Sequence, residues 1–269
     1  MKTAVLVVSF GTTHLDTLEK TIGAAEADIA AAFPSVPCRR AFTSGIVRRR
    51  LAQRHGLEAD GVEADGVEEA LARMAAEGIG QVAVQPTLLV PGEEYDRLRS
   101  SVLSRAGGMT VSFGRPLLWD DGDLLWIMDV LARAYPVEED TVLLVMGHGT
   151  AHSAGCLYER LAERMAERDG MALCTVEGRP SFADGIAALL AQPRRKVHLV
   201  PLLLAAGEHT KTDMAGEKPD SLRRRLEQAG FDVSWTLRGL GELPEVRSRL
   251  VERARDAWSA LPCAARTGP

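Results

Sequence analysis

The chain has few cysteines and no paired cysteine motif. The four present (Cys38, Cys156, Cys174 and Cys263) are scattered and form no Cys-x-x-Cys motif. This argues against a zinc knuckle, an iron–sulfur site and a disulfide framework. They read instead as small buried residues, with Cys156 close behind His148. There is no excess of basic residues either. Lys and Arg number 32 against 37 Asp and Glu, a net charge of -5, which gives no reason to expect nucleic acid or an anionic membrane surface as partner. Nothing resembles a transmembrane span. The apolar run from Thr3 to Phe10 is short, lacks a cleavage-site pattern and leads into Gly11-Thr12-Thr13 and a charged amphipathic helix, so it reads as the first strand of a cytoplasmic protein. Walker lysine spacing and GxGxxG are both missing, so Ser9 to Thr13 is only a weak signal for an anion at a helix N-terminus. The absence of an Asp-rich or HxH motif counts against a metal-dependent hydrolase.

What the 269 residues do contain is alternation. Strands are expected over 4–9, 37–42, 81–90 and 110–113, with helices over 15–33, 45–55, 67–77, 93–105 and 121–134. Tyr135-Pro136 and the acidic Glu138-Glu139-Asp140 read as a linker. Strands over 141–146, 172–176, 196–204 and 232–237 follow, with helices between them and a last helix over 244–259. This pattern predicts an α/β protein of two similar Rossmann-like halves, 1–136 and 137–269, each a parallel sheet flanked by helices. A short repeat (Gly56-Leu-Glu-Ala-Asp, Gly61-Val-Glu-Ala-Asp, Gly66-Val-Glu) reads as a solvated surface insertion.

The focal stretch is Val142 to Thr150. Four apolar residues of a buried strand run into Gly147-His148-Gly149, which sets an imidazole at a strand's C-terminal tip on backbone that a ligand can approach closely. In open α/β sheets ligands bind at that end. The strand ending in Val176 leads to Glu177, and the strand from Val197 leads through Gly207-Glu208 to His209. Two imidazoles and a carboxylate suit a divalent first-row metal such as Co(II), Ni(II), Zn(II) or Fe(II).

The halves also match in sequence. Val7-Val8-Ser9-Phe10-Gly11-Thr12-Thr13-His14 aligns with Val145 to His152, and Gln85 to Glu94 aligns with Val200 to His209. On this register Phe10 corresponds to His148 and Glu94 to His209, so the metal-type residues lie on one side of a duplication. Two such halves facing each other would form a cleft between strand ends. Glu94 then has two readings: an acidic first helical turn, or a group on that cleft moving protons or metal. His14 and His152 read as loop or helix-start residues, and His55 and His198 as structural. Arg48-Arg49-Arg50 with Arg54 reads as a solvated face, or as a partner for acidic groups on a substrate.

Together these residues resemble a known family. Val7-Val8-Ser9-Phe10-Gly11-Thr12, Ala41-Phe42-Thr43-Ser44-Gly45, Gly92-Glu93-Glu94-Tyr95, Met146-Gly147-His148-Gly149, Val176-Glu177-Gly178, Gly207-Glu208-His209, Asp213-Met214-Ala215 and Gly239-Leu240-Gly241-Glu242 are similar to the sirohydrochlorin cobaltochelatases of anaerobic cobalamin synthesis. These are class II chelatases, a class that includes ferrochelatase. The resemblance implies two α/β halves around a tetrapyrrole cleft, with metal ligands at His148, Glu177 and His209 and a further acidic group at Glu94. It also implies Co(II) as substrate metal rather than as a tightly bound cofactor, with Ni(II), Fe(II) and Zn(II) as other ions the set would accept. Substrate contacts are expected from Phe10, Thr12, Ser44, Arg48 and Lys211. The expected partners are sirohydrochlorin and a divalent ion, without nucleic acid or membrane, and a homo-oligomer is left open. Arg179 before Pro180 departs from the family, where an aromatic residue is expected.

Overall fold

The computed structural model describes residues 1–55 and 65–262, without the side chains of Arg54 and His55. Cys263 and most of the Gly56 repeat lie outside the described residues. The chain divides into two compact units, Met1–Leu117 with Pro244–Pro269, and Leu118–Leu243.

The first unit runs β1 (Lys2–Ser9), α1 (Leu15–Leu18), a π-helical turn (Glu19–Gly23), α2 (Ala24–Ala32), β2 (Cys38–Phe42), α3 (Gly45–His55), β3 (Asp65–Gly66), α4 (Val67–Ala76), β4 (Ile79–Pro86), α5 (Glu93–Arg105) and β5 (Thr110–Phe113). The second runs α6 (Asp121–Ala134), β6 (Thr141–Gly149), α7 (Cys156–Glu167), β7 (Met171–Glu177), α8 (Phe182–Leu190), β8 (Lys196–Leu202), a π-helical turn (Thr210–Met214), α9 (Leu222–Gln228) and β9 (Asp232–Trp235). The last helix, α10 (Pro244–Ser259), returns to the first unit, where it packs on α2, β4 and β5.

Both sheets are parallel, ordered β3-β2-β1-β4-β5 and β7-β6-β8-β9. Continuous apolar strands are the expected sequence for sheets covered on both faces. In β6, Val142, Leu143, Leu144, Val145 and Met146 are all fully buried, and each such side chain stabilises the fold by roughly 1.5–3 kcal/mol relative to exposure.

The duplication seen in the sequence is also the register of the ladders. Val8 pairs with Pro86 in the first sheet and Met146 with Pro201 in the second, residues that the sequence match sets on one another. Backbone bonds beyond the strands repeat as well. Leu117 N–H donates to Leu88 O, and Leu240 N–H to Leu203 O. Gly11, two residues past β1, and its counterpart Gly149, the last residue of β6, both have positive φ, at 96° and 79°.

Two expectations are corrected. The boundary near residue 136 is not where the compact units divide. The acidic run is tied into the second unit, where Lys196 on β8 bonds Asp140 at 2.7 Å and Arg194 Nε donates to Glu139 O at 2.6 Å. The units instead divide between Leu117 and Leu118, both buried, and again between Leu243 and Pro244, which puts α6 in the second unit and α10 in the first. Gly66, read as part of a solvated insertion, is instead paired with Phe42 in the sheet, and Val67 begins α4, the helix expected over 67–77.

Candidate functional site

From β6 the chain goes outward to β7 and returns on the other side of β6 as β8. The topological switch point, where open parallel sheets bind ligands, therefore lies between β6 and β8. The two strands flanking it deliver His148 and His209.

His148 is the penultimate residue of β6 and half-buried. Its Nδ1 is 3.0 Å from the carbonyl of Gly149. The glycines on either side are required by close approach. A Cβ on Gly149 would fall 1.7 Å from the carbonyl oxygen of Glu177, and one on Gly147 would fall 2.7 Å from the ring of Tyr158. Burial pushes the Tyr158 phenol well above its ordinary range, partly offset by a hydrogen bond with the Gly149 backbone.

His209 is not at a strand tip. β8 stops at Leu202 because the following carbonyls, Leu203 and Leu204, accept from Leu240 and Gly241 rather than from the sheet. His209 heads the π-helical turn instead, half-exposed, with Nδ1 2.6 Å from Oδ2 of Asp213. The rings of His148 and His209 meet edge to face, with centroids 4.7 Å apart and planes at 87°.

Glu177 ends β7, exposed, and is in register with Gly149. Among the described residues no group of three or more His, Cys, Asp or Glu side chains is close enough to hold a metal ion. The two imidazoles are brought together, and Glu177 lies on the neighbouring strand end without closing a three-residue cluster.

In the first unit the same positions are filled differently. Ser9 pairs with Phe42 as Gly147 pairs with Thr175, so Ser44 is the counterpart of Glu177, two residues beyond. Phe10 is about half-exposed. Ser44 Oγ accepts from Val47 N–H at 3.3 Å and caps α3. Glu94 lies in the first turn of α5, with Oε1 3.2 Å from Arg97. Phe, Ser and Glu thus stand where the second unit has His, Glu and His.

Other expected contacts have local structural work. Thr12 is buried and its Oγ1 accepts from His14 N–H at 3.3 Å, a turn repeated by Thr150 and His152 at 3.1 Å. Arg48 is paired with Glu69 at 2.5 Å, which draws its charge toward α4. Lys211 is exposed on the His209 turn. His14 and His152 stand at helix starts, as expected. His198 links β8 to the segment containing β9 through Ser234 and Thr236, at 2.8 and 3.0 Å, and burial lowers its pKa. Cys174 is buried as expected, whereas Cys156 is exposed at the start of α7.

In the sequence Asp213 stands out only as part of the Asp213-Met214-Ala215 motif, with no role of its own. Its i,i+4 spacing from His209 was the available signal.

This architecture is that of a chelatase fold. The sirohydrochlorin chelatase SirB from Bacillus subtilis subspecies spizizenii, solved in complex with cobalt, superposes with a TM-score of 0.58 at 16% identity, covering 97% of each chain. The chain belongs to the cobalt chelatase (CbiK) family, whose profile matches residues 3–259. Among its relatives, the sirohydrochlorin cobaltochelatase of Salmonella typhimurium is 38% identical over 260 residues, 96% of this chain and 97% of the relative. The sirohydrochlorin cobaltochelatase CbiKC of Nitratidesulfovibrio vulgaris is 36% identical over 266 residues, 97% of this chain and 92% of the relative. Among the described residues no helix is long and apolar enough to cross a membrane.

Proposed function

We propose that this chain inserts Co(II) into sirohydrochlorin with release of two protons, a step of cobalamin synthesis. The observation that carries the reading is the edge-to-face pair of His148 and His209 on the two chain segments flanking the switch point. Family membership and relatives named cobaltochelatase over nearly their whole length support the choice of cobalt.

The chemistry requires a divalent ion to exchange its ligands for four pyrrole nitrogens while two N–H protons leave. Imidazole suits both tasks. It binds first-row ions reversibly, and it accepts protons near neutral pH. We assign the incoming ion to His148 and His209, with Glu177 as the carboxylate that offsets part of its charge. Either histidine takes the first proton as the ion moves to the macrocycle.

Glu94 is assigned the second proton, on the ground that it occupies in its own unit the place of His209. Glu94→Gln is expected to lower kcat by about 100-fold while KM for Co(II) stays within twofold. Steady-state kinetics with each substrate varied will separate the roles, because a raised KM for the metal would make Glu94 a ligand rather than a base.

Sirohydrochlorin carries eight carboxylates, and an acidic protein needs local cations to hold it. Phe10 and Ser44 offer apolar and polar contact at the strand ends of the first unit, and Lys211 offers a cation on the His209 turn. Lys211→Glu should raise KM for sirohydrochlorin several-fold with KM for Co(II) unchanged; an unchanged tetrapyrrole KM would remove Lys211 from the contact set.

The deciding assay is anaerobic absorbance of sirohydrochlorin with Co(II), Ni(II) or Fe(II), with proton release followed in parallel. Cobalt insertion well above the uncatalysed rate, coupled to two protons, is the expected result. A faster rate with Fe(II) would reassign the metal. Tight tetrapyrrole binding without acceleration would make the protein a carrier.

A further inference from the structure

We infer that Asp213 is the positioning residue for His209, fixing the ring tautomer that presents a lone pair to the metal. The inference rests on the reading of His209 as a metal ligand.

A carboxylate can only accept a hydrogen bond, so the 2.6 Å contact between Asp213 Oδ2 and His209 Nδ1 puts the ring hydrogen on Nδ1. In the neutral imidazole the lone pair is then on Nε2. The Thr212 hydroxyl, with one hydrogen to give, donates to the carbonyl of Glu208 at 2.9 Å and ties the turn back on itself beside Asp213. The turn that carries all three is closed by the π-type bond from Ala215 N–H to Thr210 O at 3.2 Å. A Cβ at Gly216 would fall 2.1 Å from the carbonyl of Thr212, so the turn closes this tightly only with glycine there. The aspartate is thus carried against a single imidazole by a turn that threonine and glycine close.

The partner ring is set differently. His148 Nδ1 lies 3.0 Å from the backbone carbonyl of Gly149, again an acceptor only. Both rings are held in the tautomer with Nε2 available, one by main chain and the other by a side chain that substitution can remove. A ligating histidine whose second nitrogen is held by a carboxylate or carbonyl binds metal more tightly, and loss of such a partner costs about 10–100-fold in affinity or activity.

The alternative is that the pair merely ties down a helical turn. Its side chains are 48% and 37% exposed, and exposed pairs contribute little to stability. The two roles therefore separate experimentally. Co(II) is titrated into the full chain alone, with binding followed by calorimetry and by the visible absorption of the bound ion, for wild type, His209→Ala, Asp213→Ala and Asp213→Asn. The expected order is strong binding by wild type, loss in His209→Ala, a 10–100-fold weaker constant in Asp213→Ala, and partial recovery in Asp213→Asn, whose amide oxygen still accepts from Nδ1. In turnover, Asp213→Ala should raise KM for Co(II) and leave KM for sirohydrochlorin unchanged, with the melting temperature within about 2 °C of wild type. Wild-type affinity in Asp213→Ala beside loss in His209→Ala would overturn the positioning role alone. Equal cobalt binding by wild type and His209→Ala would overturn the ligand reading, and the inference with it.

Discussion

Exchanging His148 or His209 for alanine is expected to lower the rate of Co(II) insertion by at least about 100-fold. The two rings are in contact, with centroids 4.7 Å apart, so each variant leaves a single imidazole where an ion would need both. Their effects should not add. Once one ring is gone the other has no ion to share, and the double variant is expected to be little worse than either single one. Neither substitution should unfold the chain. His148 is half-buried at the end of its strand, and His209 is exposed on its turn. Initial rates measured anaerobically under saturating sirohydrochlorin, with far-UV circular dichroism as the folding control, test this. A folded variant retaining more than half the wild-type rate would sink the assignment of that histidine.

Gly149→Ala should be the most damaging single methyl group in the second unit. Two costs coincide at this position. The backbone has φ of +79°, where an L side chain is strained, and the new Cβ would lie 1.7 Å from the carbonyl oxygen of Glu177 and 2.8 Å from Cβ of Thr175. The oxygen belongs to backbone on a paired strand and cannot rotate aside, so the ends of β6 and β7 must separate. That movement displaces His148 and Glu177 together. We expect a loss of at least about 3 kcal/mol, seen as a fall of roughly 10 °C in melting temperature, with insertion lost. Gly78→Ala is the internal control. Its φ is similar, at +76°, but a Cβ there meets nothing within 4 Å, so it should cost only about 1–2 kcal/mol. Equal melting temperatures for the two variants would show that the strand ends yield freely and would remove the steric argument.

The regular elements were legible because their causes are local. The helices Gly45–His55, Glu93–Arg105 and Asp121–Ala134 and the strand Thr110–Phe113 lie where the periodicity sets them. The parallel sheets follow from strand–helix alternation, and the duplication followed from residue identity alone. His148 stood out because a histidine between glycines terminates an apolar run.

What stayed hidden is long-range. The apolar run from Val197 to Leu204 gives no sign that the strand stops at Leu202, because that is decided by amide donors some forty residues away, at Leu240 and Gly241. The acidic stretch at 138–140 looks like a linker until Lys196 and Arg194 are seen to hold it. Nor does the sequence show that Arg48 is paired with Glu69, 21 residues on.

By itself the sequence determined the class of fold, the internal repeat and the residue types able to hold a first-row ion, since these depend on local pattern and on the chemistry of side chains. Only the tertiary structure decided that β6 and β8 flank the switch point, that two histidines 61 residues apart in the chain touch, and that Asp213 lies against one of them. Strand order, ring-to-ring contact and tautomer are set by where the chain returns to itself, which no local pattern records.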